Sequence, residues 1–119
     1  MSYSGFGREA ENAAGSCLTN YGWAVFFSKG SRGPADIVAS RDNTFLLIQV
    51  KSSTKIPKIR GAEIKNLIQM SEKINNSYPL LSFVHPHIGC NVNNNSIIFG
   101  SYLINFFILP QWESVDFLK

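Results

Sequence analysis

The chain has 119 residues and a mass of 13.3 kDa, a length that fits a single domain over 1–119 and buries roughly two-thirds of its unfolded surface without a disulfide or metal staple. Hydrophobic residues make up 45% and charged residues 16%, which excludes overall disorder. The longest apolar stretch, Tyr102 to Leu109, is interrupted by Asn105 and falls far short of the ~20 residues of a membrane span.

The N-terminus carries no basic segment followed by an apolar one, so no secretory signal, no membrane partner and a cytoplasmic location are expected. Cys17 and Cys90 are accordingly expected as buried thiols rather than a bridge. The net charge is +3 and the pI about 9.0, which agrees with nucleic acid as a partner. Its distribution is more informative. Arg8, Lys29, Arg32, Lys51, Lys55, Lys58 and Arg60 fall in the first half, and Asn75 to Leu118 contains no lysine or arginine. The basic half is where a polyanion would bind, against the plainer reading of a solvated surface.

Along the chain, Phe6, Ala10, Ala13, Ala14, Cys17, Leu18 and Tyr21 recur at helical spacing, which predicts a helix over Ser4 to Tyr21 with Gly22 as its left-handed stop. Gly7 and Gly15 weaken it by ~1 kcal/mol each relative to alanine. Trp23 to Ser28 is aromatic and β-branched, hence a strand. A loop through Pro34 follows, then a short strand from Ala35 to Ser40. Asp42-Asn43 signals a hairpin turn. Thr44 to Ser52 is a strand with an interior apolar on both faces, as in the centre of a sheet. Ile56 to Gly61 reads as a basic loop, Ala62 to Asn75 as a helix, and Pro79 to Val84 as a strand. Asn91 to Ser96 is a polar turn, and Ile97 to Leu109 one strand plus a further strand or short helix. The order helix, three strands, helix, strand describes a small α/β domain with a mixed sheet.

The hairpin carries a geometric consequence. With Asp42-Asn43 as a two-residue turn, Arg41 pairs with Thr44, and the ladder continues to set Asp36 opposite Gln49. Opposed residues share a sheet face, and Lys51, two further along, shares it too. A one-residue slip would undo this arrangement. Asp36, Gln49 and Lys51 would be costly as plain core. A divalent cation, Mg²⁺ or Mn²⁺, reconciles them: Asp36 offers a charged oxygen, Gln49 a neutral one, and waters complete the shell. Lys51 could then stabilise phosphate charge or orient an attacking water.

Pro34-Ala35-Asp36, twelve intervening residues and Gln49-Val50-Lys51 resemble the signature of the PD-(D/E)XK nuclease superfamily. Within it the chain is most similar to the archaeal Holliday junction resolvases, through Ala10-Glu11, Gly22-Trp23-Ala24-Val25 and Ser28-Lys29-Gly30-Ser31. The resemblance covers about residues 5–85 and fades in the last third. It implies a restriction-endonuclease-like αβββαβ core, a central mixed sheet flanked by helices. It further implies Glu11 as the helix-borne acid, Asp36 and position 49 as metal ligands, and Lys51 as the catalytic lysine. Ser31, or Ser28 in its stead, is implied as the serine near the scissile phosphate. Glu9 is the rival to Glu11. Spacing to Gly22 favours Glu11, and Gly7, Glu11 and Gly15 form an i, i+4, i+8 stripe that suits close approach of DNA or tight helix–sheet packing. The departure is Gln49, where the resolvases carry glutamate. Some Mrr-type restriction enzymes and a transposase subunit of the superfamily also use Gln-x-Lys.

The other candidates carry less. His85-Pro86-His87 lacks a third ligand at metal-binding spacing and reads as a loop. Phe99, Tyr102, Phe106 and Phe107 suit a core, and their density also suits a dimer face, which the resemblance implies. The expected function is a metal-dependent endonuclease that cuts four-way DNA junctions as a homodimer, with Arg8, Lys29, Arg32, Lys55, Lys58 and Arg60 on phosphates. A restriction- or transposon-type nuclease is the alternative within the superfamily. A non-cleaving DNA- or partner-binding relative is the alternative outside enzymes.

Overall fold

The computed structural model describes residues 3–28, 33–52, 61–86, 96–115 and 118. The first helix, α1 (Tyr3–Asn20), stops as the glycine demands: Gly22 has φ +93°. The Gly22 amide donates to the Thr19 carbonyl at 3.0 Å and the Trp23 amide to the Leu18 carbonyl at 3.1 Å, the paired bonds of a Schellman cap. Three strands follow, β1 (Ala24–Phe27), β2 (Ile37–Arg41) and β3 (Thr44–Ser52). Asp42 and Asn43 both take positive φ, 51° and 63°, the condition for a type I′ hairpin. The register Arg41↔Thr44 through Ile37↔Ile48 is the one the turn residues predict.

After β3 come α2 (Gly61–Glu72) and β4 (Ser77–Pro86), then β5 (Ile97–Phe99), β6 (Tyr102–Ile108) and β7 (Glu113–Ser114). The strands form one mixed sheet in the order β1-β2-β3-β4-β6-β5, with β7 on β6. Only β3 and β4 run parallel, so α2 is the crossover that parallel neighbours require. It is shorter than expected: the Ser77 hydroxyl lies 2.8 Å from the Ser71 carbonyl and 2.7 Å from that of Ile74. That hydroxyl meets orphaned carbonyls at the helix end, and β4 starts there, two residues before the expected Pro79.

Alternation along β3 divides the core. Leu46 and Ile48 face α1, where Ala10, Ala14, Cys17 and Leu18 pack on Ile37, Leu80, Ile104 and Phe106. Leu47 faces α2, with Leu67, Leu81 and Leu109. Small residues on α1 let it lie close to the sheet. At Gly15 an added Cβ would fall 2.6 Å from the Phe27 ring. At one end of the sheet Trp23 Nε1 donates to the Leu118 carbonyl at 2.8 Å, and the Arg41 guanidinium lies 4.3 Å from the Trp23 ring centroid.

One expectation changes, and one alternative is decided. His85-Pro86 is not a loop but the end of β4, paired with Leu103 and Tyr102; His87 and Cys90 lie outside the described residues. The segment from Ile97 to Leu109 makes two strands turning at Gly100-Ser101, with Gly100 at φ +60°. Leu103, Ile104, Phe106 and Leu109 are buried within the chain, so the apolar surplus expected there is largely absorbed. Phe106 in particular lies beneath α1, not on a free face.

The hairpin turn is a direct test of this frame. Asn43→Val forces a β-branched residue into the left-handed region at about 1–2 kcal/mol, so urea unfolding should show a loss of that size. An unchanged midpoint would mean that the turn does not hold the β2–β3 register.

Candidate active site

The β2–β3 ladder ends at Ile37↔Ile48, one pair before the step that would set Asp36 opposite Gln49. The Asp36 amide donates instead to the Ile48 carbonyl at 2.8 Å, one residue short of a continued register. The carboxylate takes over what the backbone drops: Val50 N–H donates to Asp36 Oδ2 at 2.8 Å. The expected pairing is therefore corrected in detail, because a side-chain oxygen, not the next ladder pair, ties Asp36 to β3.

An open hollow of about 920 Å³ gathers Glu11 of α1, Asp36, Gln49 and Lys51 of β3, Glu63 and Asn66 of α2, and Lys73 just after it. Lys51 Nζ lies 2.8 Å from Glu63 Oε2, an ion pair whose angle falls outside hydrogen-bond geometry. Gln49 Oε1 is buried without a hydrogen-bond partner among the described residues. Among those residues, no three Asp, Glu, His or Cys side chains group closely enough to hold a metal ion by themselves.

Burial dominates the electrostatics. It pushes the Asp36 carboxyl above its ordinary pKa against the lowering effects of the Val50 bond and Lys51, while Glu63 adds to the rise. Burial also raises Glu11, the Asp36 charge raises it further, and Arg8 partly offsets both. Glu11 and Asp36 therefore feel one another across the hollow.

Glu9 points elsewhere: the Tyr102 hydroxyl donates to its Oε2 at 2.9 Å. The glycine stripe splits as well. Gly15 is explained by Phe27 and Val25 of β1, whereas a Cβ on Gly7 would meet nothing within 4 Å. Ser28 Oγ donates to the Ala35 carbonyl at 2.6 Å, so its hydroxyl is engaged by the backbone ahead of Asp36. Ser31, Lys29, Arg32, Lys55, Lys58 and Arg60 lie outside the described residues, which leaves Arg8 as the described member of the expected DNA-binding set. Sequence reasoning missed Glu63 and Lys73. A signal for Glu63 did exist. A parallel crossover returns its helix over the C-terminal end of the preceding strand, and Glu63 is the acidic residue of the first turn of α2.

A family model described as archaeal Holliday junction resolvase (Hjc) matches residues 3–113. The match extends through β5 and β6, beyond the point near residue 85 where the resemblance was expected to fade. Among solved structures, Archaeoglobus fulgidus Hjc, a Holliday junction resolvase from an archaeal hyperthermophile, is similar with a TM-score of 0.62 and 21% identity, over 83% of this chain and 72% of that one. The two share the mixed α/β fold, a central sheet with two helices. No curated protein matches the chain.

A pH-dependence follows from the raised carboxyls. Asp36 has a folded pKa above the ordinary 3.8, so the folded state holds its proton more tightly than the unfolded state. Its contribution is fully present below 3.8 and is lost as pH rises through the folded value. At neutral pH the carboxylate is thus a burden. Asp36→Asn, which keeps an oxygen for Val50 N–H, should raise the melting temperature in chelator at pH 7, and the gain should shrink toward pH 3.8. A melting temperature lowered at pH 7 would show that attraction to Lys51 outweighs burial.

Proposed function

We propose, for a chain that belongs to the archaeal Holliday junction resolvase family and is on that ground an endonuclease, that the hollow around Asp36 is a divalent-metal site for cutting four-way DNA junctions. The observation that carries this reading is the convergence of Glu11, Asp36, Gln49 and Lys51 in one hollow. The donor set fits Mg²⁺ or Mn²⁺: two carboxylates, and the buried Gln49 oxygen with no partner among the described residues, leave room for the waters these ions retain. Glu11, Asp36 and Gln49 would hold the ion. When bound, it polarises a phosphoryl oxygen and so favours attack at phosphorus.

The remaining work falls to the chain. Asp36 is fixed by Val50 N–H, so its free carboxylate oxygen keeps one direction. Lys51 brings a positive charge to the same hollow, held by Glu63 in the free protein, where it can stabilise charge developing on the phosphate. Arg8, exposed on α1 and near enough to lower the Glu11 pKa, is suited to an adjacent phosphate. Lys29, Arg32, Lys55, Lys58 and Arg60 are proposed as further phosphate contacts, and Ser31 as a hydroxyl near the scissile group. Action on DNA places the protein inside the cell.

Paired cuts on opposite strands need two copies, since one chain brings one such hollow. We therefore propose a homodimer. The surface left for it on β5, β6 and the turn after them includes Ile98, 53% exposed, and Trp112, 42% exposed. Trp112 is stacked on Phe83 at 6.5 Å and tilted against Phe107 at 6.2 Å.

With Mg²⁺, the protein should cut a four-way junction in preference to the matching linear duplex, and Asp36→Ala should abolish cleavage while leaving junction binding nearly intact. Equal cutting of linear duplex would favour a restriction- or transposon-type nuclease. Binding without any cleavage would favour a non-cleaving relative, and an active Asp36→Ala variant would displace the site.

Junction affinity should fall steeply with salt, and Arg8→Ala should lower the log–log slope by about one unit. An unchanged slope would remove Arg8 from the interface.

Sedimentation equilibrium at micromolar concentration should show a dimer that Trp112→Asp weakens toward monomer without loss of fold. A monomeric wild-type protein producing single nicks would overturn the paired-cut mechanism.

A further inference from the structure

We infer that Glu63, at the start of α2, supplies to the metal site the negative charge that Gln49 does not, an inference that rests on the metal-site reading above. The charge count motivates it. With a neutral amide at position 49, the two strands of the hairpin bring a single carboxylate, Asp36, and Lys51 offsets it. Glu11 adds one from α1. A divalent ion among these groups would meet a net charge of only one.

Glu63 stands in the same hollow as Gln49 and Lys51. Its charge is felt at Asp36, whose carboxyl it helps to raise. Gln49 Oε1 is a buried acceptor without a hydrogen-bond donor among the described residues, and Glu63 Oε2, from a different element, is met by the Lys51 ammonium at 2.8 Å. A buried acceptor without a donor is costly, and in a hollow that also holds the Glu63 carboxylate it marks a place whose proper occupant is electron-poor. Lys51 takes that role toward Glu63. Glu63 thus acts on the site through its charge, which is felt at Asp36, while its carboxylate is paired with Lys51.

The position is imposed by the fold. Because β3 and β4 are parallel, α2 must begin over the C-terminal end of β3, where Gln49 and Lys51 lie. An acid in its first turn is also favoured by the helix dipole. Loss of the acid from β3 is therefore met from the next element in the chain, without change to the sheet.

The inference separates from a plain structural ion pair by metal binding measured without DNA. Calorimetric titration of the full chain with Mn²⁺ should show binding that Asp36→Asn removes. Glu63→Gln should weaken Mn²⁺ at least about tenfold, since charge count sets affinity at such sites. Glu63→Asp should retain most of the affinity. The double variant Gln49→Glu/Glu63→Gln, with the charge moved back to β3, should regain it. Melting in chelator checks that each variant is folded; if Glu63→Gln is not, the Asp variant and the double variant carry the test.

Wild-type Mn²⁺ affinity in Glu63→Gln, alongside its loss in Asp36→Asn, would overturn the role of Glu63 and leave the site standing. A double variant no tighter than Glu63→Gln would also overturn it. Wild-type affinity in Asp36→Asn would instead overturn the metal site itself, and this inference with it.

Discussion

The bond from Val50 N–H to Asp36 Oδ2 is the contact on which the arrangement of the hollow depends. The ladder to β2 stops at Ile48, yet β3 continues to Ser52 in register with β4. A strand amide beyond the end of its partner normally turns to solvent or to the next residue of that partner. Here a carboxylate oxygen takes the place of the missing carbonyl, which lets β2 end while β3 runs on. The end of the sheet is thereby open on one side and ordered on the other. Gln49 and Lys51 lie on this extended part of β3, on the same face as Leu47 by strand alternation, and line the hollow.

That solution has an electrostatic cost, and the cost falls on the two carboxylates of the hollow, Asp36 and Glu11. Burial raises both Asp36 and Glu11, and each like charge nearby adds to the rise. Lys51 and Arg8 relieve part of it. The hollow is in this respect an unsatisfied assembly: two carboxylates held against their preference and an amide oxygen without a donor among the described residues. A cation answers all three complaints at once. On the proposed reading, stability of the fold and readiness for a divalent ion are opposed here, as at many active sites.

Much of the frame was legible in the sequence because local chemistry dictates it. Gly22 ends α1, and Asp42-Asn43 fixes the hairpin with its register down to Ile37. The doubly apolar run Phe45 to Ile48 predicts a strand between two others. What was illegible depends on tertiary contact. The register gave out at Asp36, where the side chain bonds where the backbone would, and no pairing rule foresees that exchange. Composition could not distinguish a surplus for a dimer face from a core, and Phe106 proved to be core. The two glycines of α1 looked alike in sequence. Only the Phe27 ring against Gly15 and the open space at Gly7 separate them. Glu63 carries no motif of its own, although the crossover topology sets the start of its helix beside Lys51.

The two halves of the sheet carry different loads, and charge follows the division. The chain from α1 to the turn after α2 presents the acids Glu11, Asp36 and Glu63 and the lysines Lys51 and Lys73 to the hollow. β4 to β7 bring no lysine or arginine at all and present an aromatic face, in which Phe83 packs edge-on to Phe107 at 5.7 Å and flat on Trp112 at 6.5 Å. The halves meet where β3 pairs with β4, and the register places Lys51 beside Phe83. A polyanion is drawn to the first half and gains nothing from the second, while apolar association favours the second and would be opposed by charge in the first. Segregating the two on one continuous sheet would, on the proposed reading, keep the hollow free for DNA when the aromatic face is covered. It also fixes the distance between covered face and hollow rigidly, because the same hydrogen-bonded strands span both.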